Sequence, residues 1–121
     1  RRGDSAQIDG HFEFKFGRRL FTCVAECKNW SNRLSANTLQ KILAKSLKSH
    51  KNSKLSLVFC QSIVTKTTIL KSFSLFCSTK KINVYRVVLE NNRFEVIPFS
   101  PKIHIYPRLI CIVFESSAIN P

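Results

Sequence analysis

The stretch His11-Phe12-Glu13-Phe14-Lys15-Phe16-Gly17-Arg18-Arg19-Leu20-Phe21-Thr22-Cys23-Val24 decides how the fold begins. Apolar and polar residues alternate on both sides of Gly17-Arg18, the period-two pattern of strands with one buried face. Two-residue turns with glycine at the first central position close such hairpins. With Gly17-Arg18 as the turn, the register predicts Asp9 opposite Glu26 and Gln7 opposite Lys28. Phe12, Phe14, Phe21, Cys23 and Ala25 then share one face, read as core, and Cys27 falls on it too. Asp9, His11, Glu13, Thr22, Glu26 and Lys28 share the other.

That opposition matters because acids are rare here. The chain has two aspartates and five glutamates against 20 lysines and arginines. Directly opposed side chains have Cβ atoms roughly 4.5–5.5 Å apart, and like charges placed so are destabilising. A cation held between Asp9 and Glu26 relieves the repulsion. Lys28, two residues from Glu26 on the same strand, brings an ammonium to the same patch. Two carboxylates and a lysine suit metal-assisted phosphodiester hydrolysis: oxygen ligands hold Mg²⁺ or Mn²⁺, and the lysine orients the attacking water. The plain alternative is a solvated strand face preceded by an ordinary Asp9-Gly10 turn.

Ile8-Asp9-Gly10 followed by Val24-Ala25-Glu26-Cys27-Lys28-Asn29-Trp30 and then a helix resembles the PD-(D/E)xK nucleases, and among them the Mrr-type branch. Ile8 stands where that pattern most often has proline. The resemblance covers about residues 5–66 and implies a restriction-endonuclease-like fold. It implies Asp9 and Glu26 as metal ligands, the Cys27 backbone carbonyl as a third, and Lys28 as the catalytic lysine. Gln40, at the start of the following helix, corresponds to a polar residue that reaches the active site in relatives. No counterpart of the upstream acidic residue is present, and Arg1 in place of methionine suggests a domain excised from a longer chain with a helix before it.

At 121 residues with 44% hydrophobic residues, the expectation is one domain, residues 1–121, with a real core. The net charge of +13 attracts polyanions. No run reaches the roughly 20 apolar residues of a membrane span, and there is no signal-peptide pattern. A soluble, intracellular protein, cytoplasmic or nuclear and without a membrane partner, is expected. Five cysteines sit in apolar runs without a disulfide framework or zinc spacing, so they read as core thiols.

Farther along, Leu39, Ile42, Leu43 and Leu47 predict a helix over 36–50 with Ser35 or Asn37 as its cap. Lys41, Lys45 and Lys48 form a separate stripe on it, for solvent or for phosphates. Leu55–Cys60 reads as a strand buried on both faces. Thr67–Ser78 reads as a helix with Ile69, Leu70, Phe73, Phe76 and Cys77 on one stripe. C-terminal strands are expected within 82–115: Ile82–Leu89, a turn at Glu90-Asn91-Asn92-Arg93, Phe94–Ile97, then proline-broken pieces and an edge strand at Leu109–Phe114. This order predicts an α/β fold with a mixed central sheet flanked by helices.

The expected function is a metal-dependent endonuclease acting on DNA, ahead of RNA. The alternative is a catalytically degenerate nuclease-fold domain that binds nucleic acid or protein without cleavage. Arg18 and Arg19 at the hairpin tip, Trp30, Lys41, Lys45 and Lys48 are the candidate nucleic-acid contacts, Trp30 by stacking on a base. A homodimer and a place in a larger assembly are both open. Arg2-Gly3-Asp4-Ser5 and the sequon at Asn29 are best explained by chance, and His11, His50 and His104 form no pattern with a nucleophile.

Overall fold

Gly17 makes the first turn. Its φ of +67° is one that L side chains rarely adopt, and the two-residue turn joins strand β1 (Phe12–Phe16) to β2 (Arg19–Ser35). The computed structural model describes residues 12–49, 54–64 and 67–116. Within them the hairpin has the register expected from its alternation, from Phe16 opposite Arg19 to Phe12 opposite Cys23. Helix α1 (Ala36–Leu47) starts directly after β2. Ser35 is its cap, its hydroxyl accepting the Thr38 N–H at 3.0 Å. Strand β3 (Lys54–Val64), helix α2 (Thr67–Lys80), strands β4 (Ile82–Glu90) and β5 (Arg93–Pro98), and strand β6 (Leu109–Glu115) follow. The β4–β5 turn is Asn91-Asn92, both at positive φ, as two-residue hairpin turns of the mirror-image type require.

The six strands form one mixed sheet in the order β1-β2-β3-β6-β4-β5, an α/β architecture. The β1–β2 and β4–β5 pairs are antiparallel, and β2–β3, β3–β6 and β6–β4 are parallel. Both described helices pack on one face. Leu39, Ile42 and Leu43 of α1 and Phe73 and Cys77 of α2 join Val24, Cys27, Val58, Cys60, Ile82, Val84, Leu109, Cys111 and Val113 of the sheet in one core. The expected flanking of the sheet is thus one-sided among the described residues. No described helix is long and apolar enough to cross a membrane.

Two expectations are corrected. Leu109–Phe114 is the core of a central strand, not an edge. The prolines that suggested an edge precede β6 and leave its own N–H groups intact, so it pairs in parallel on both sides. The second correction concerns β2, which slips by one residue against β3 between Cys23 and Ala25. Cys23 stands opposite Leu55, yet Cys27 stands opposite Val58. Residues three apart on a strand lie on opposite faces, so Cys23 and Cys27 do not share one. The same slip puts Thr22 opposite Lys54 and Glu26 opposite Leu57, separating two positions that simple alternation grouped.

Glu115 ties the centre of the sheet together. It is 1% exposed, and one carboxylate oxygen accepts the Ile63 N–H of β3 at 2.8 Å while the other meets Arg86 Nε of β4 at 2.6 Å. Removing one partner of a buried ion pair typically costs about 3–5 kcal/mol. Because Arg86 is 37% exposed and can rehydrate, Glu115→Leu is expected to cost somewhat less, about 2–3 kcal/mol. Urea unfolding should register this as a lower midpoint at an unchanged slope, with Glu115→Gln falling between wild type and Leu.

Candidate functional site

β2 carries the residues singled out in its sequence. The backbone of Glu26 stands opposite Leu57 and that of Lys28 opposite Phe59, with buried Cys27 between them opposite Val58. Val58 belongs to the helix-covered core, whereas Leu57 and Phe59 alternate with it onto the face away from the described helices. Asp9 lies outside the described residues, and the ladder is described only as far as Phe12–Cys23. Among the described residues no three His, Cys, Asp or Glu are grouped as a metal site.

The remaining candidates fall in different places. Arg18 is exposed in the hairpin turn beside Arg19, the first residue of β2. Gln40 is half-buried on α1, while Lys41, Lys45 and Lys48 are exposed along it. Trp30 is 44% exposed and packs against Phe59 with ring centroids 5.0 Å apart. Phe59 in turn stacks on Phe114 of β6, 4.8 Å away and 10° from parallel. Since α1 sits on the helix-covered face, its lysines and the Trp30 ring occupy opposite sides of the sheet. The structure does not assemble the candidate contacts into one surface.

It does place Lys48 with two cations that sequence reading passed over. Between the C-terminal ends of α1 and α2 a groove of about 190 Å³ is lined by Ala44, Leu47, Lys48, Phe76, Lys80 and Arg108. The Lys80-Lys81 pair closing the second helix was the available signal. Arg108, 28 residues downstream of Lys80 in the chain, arrives because its N–H donates to the Lys81 carbonyl at 2.8 Å. Beneath, the buried Lys54 ammonium donates to the Ser46 and Leu47 carbonyls at the end of α1. Burial, and then Arg108, lowers its pKa from the usual lysine value. Lys54 is a helix cap, whereas Lys48, Lys80 and Arg108 remain to meet an anion.

Three of the buried cysteines are poor nucleophiles. Burial pushes the Cys60 and Cys77 thiols up to about 12, and Cys111 is raised as well. Thiolates are the reactive form, so these three should resist thiol reagents at neutral pH until the protein unfolds. The sign of the linkage also follows. The unfolded chain ionises Cys60 and Cys77 near pH 9 and the folded one near 12, so the folded state binds more protons in between. Stability is expected intact below pH 9 and to fall across pH 9–12, with a shallower fall in Cys77→Ala. Chemical denaturation at stepped pH checks this.

Comparison of the chain with known proteins finds no matching family model, no matching curated protein and no matching solved structure.

Proposed function

We propose that this domain is a divalent-metal-dependent endonuclease acting on nucleic acid, DNA ahead of RNA. The observation that supports the reading is that β2 carries Glu26 and Lys28 two residues apart, at backbone positions opposite Leu57 and Phe59 on the face away from the described helices. Asp9, the second carboxylate of the set, is assigned by the sequence resemblance and lies outside the described residues. Two carboxylates and a Cys27 backbone carbonyl are an all-oxygen donor set suited to Mg²⁺ or Mn²⁺. Such an ion supplies charge neutralisation at the phosphate and a more acidic water. Lys28 orients that water and compensates charge on the phosphate. The net charge of +13 speeds encounter with a polyanion.

Incubating plasmid and single-stranded DNA with Mg²⁺ or Mn²⁺ tests the reading. Cleavage should appear, vanish with chelator, and drop by at least about 10²-fold in Glu26→Gln and Lys28→Ala, the scale of losing a group in direct contact with the reacting phosphate. Neither variant should melt below wild type without metal. Binding without cleavage in every metal would leave the alternative, a domain that holds nucleic acid but does not cut it.

That alternative and the enzyme share one electrostatic requirement, and the groove between the helix ends supports it. Replacing Lys48, Lys80 and Arg108 with Gln should lower the log–log salt slope of duplex binding by about 0.9 for each phosphate no longer neutralised. Affinity should fall similarly for all sequences. An unchanged slope would assign these three cations to solvent.

A further inference from the structure

We propose that the face of the sheet away from the described helices, at Trp30, Phe59 and Phe114, is a stacking platform for unpaired bases, so that single-stranded nucleic acid is the preferred ligand. The proposal rests on the nucleic-acid part of the proposed function and deepens it. Three aromatic rings on three neighbouring strands, β2, β3 and β6, form a continuous ladder with centroid spacings of 5.0 and 4.8 Å. Both helices pack on the opposite face, and no described element covers the ladder. Phe59 and Phe114 are half-buried by their neighbours, while Trp30 at the end of the ladder is 44% exposed. A large apolar ring left open beside two others is informative in a way that one exposed residue is not.

The surroundings say what kind of flat, apolar-faced ligand fits. Lys28 stands opposite Phe59 in the ladder of backbone pairs, and exposed Gln61 follows two residues after Phe59, on its face. Aromatic rings with a lysine position and an amide beside them match the equipment of single-strand binding surfaces, where bases stack and cations follow the phosphates. The alternative occupant, a second copy, would bring together two chains each carrying +13. A polyanion gains from the same field. A duplex keeps its base faces stacked on each other, so it cannot use the rings, whereas an unpaired strand can.

Trp30 is the chain's one tryptophan, which makes its fluorescence a direct report on the platform. The full chain, in chelator to prevent cleavage, is titrated with a short fluorescently labelled strand and with the same strand annealed to its complement, occupancy being followed by the label's anisotropy. The single strand should bind tighter and quench Trp30 emission. Trp30→Ala should weaken single-strand binding roughly ten-fold or more, with duplex affinity and the salt slope of single-strand binding unchanged. Trp30→Phe should restore most of the affinity. Unchanged emission at full occupancy, equal weakening of strand and duplex in Trp30→Ala, tighter duplex binding, or concentration-dependent dimerisation abolished by Trp30→Ala would each overturn the platform. Absence of metal-dependent cleavage with the single-strand preference intact removes the nuclease reading alone. Cleavage of duplex without that preference removes the platform alone.

Discussion

The slip in β2 is the constraint on which the rest of this molecule turns. Up to Cys23 the strand obeys the alternation of its hairpin with β1. One extra residue before Ala25 then exchanges the two faces as far as Asn29, where a second irregularity begins. Without it, the parity that places Thr22 opposite Lys54 would carry positions 26 and 28 towards the helix layer, where a charge needs a partner to be tolerated. With it, buried Cys27 takes the place in the helix-covered core, and the Glu26 and Lys28 positions line up with Leu57 and Phe59. A single inserted residue lets one strand serve an amphipathic hairpin at its start and a chemically equipped sheet face in its middle.

The central part of the sheet is organised differently. β6 alternates buried and half-buried residues along its whole length and shares both of its edges with parallel strands. Parallel strands place their carboxyl ends at one rim, and there Glu115 satisfies a β3 amide and a β4 guanidinium together. At the other rim the helix ends present carbonyls, and the Lys54 ammonium satisfies two of them. Each rim therefore has a buried charge of the sign its backbone environment needs.

How much of this is legible in the sequence follows from the range of each signal. The hairpin register is local: alternation and one glycine specify it. The two helices are local as well, since Leu39, Leu43, Phe73 and Cys77 recur at helical spacing and all are buried. The slip in β2 is not legible, because Val24-Ala25 reads as two more small apolar residues and only the pairing with β3 reveals the extra one. The place of β6 is misleading in sequence, because prolines just before a strand look like the mark of an edge. Arg108 joins Lys48 and Lys80 through the packing of a loop, which no residue spacing encodes. For the candidate site, Glu26 and Lys28 can be placed on one strand from sequence, but their separation from the α1 lysines depends on which face the helices cover.

The position of β6 also governs when the domain can exist. It is the last strand of the sheet in sequence and sits between β3 and β4, so every earlier element forms part of one of two half-sheets with a missing seam. Its partners on β3 lie about half the chain away, and pairing over such separations carries a large loop-closure cost and slows folding. On the ribosome, the β1-β2-α1-β3 unit and the β4-β5 hairpin must wait with parallel edges open until residues 109–115 emerge. Assembly is therefore a late, all-at-once closure, and a chain cut before Leu109 would expose two adhesive strand edges rather than a smaller version of the same domain.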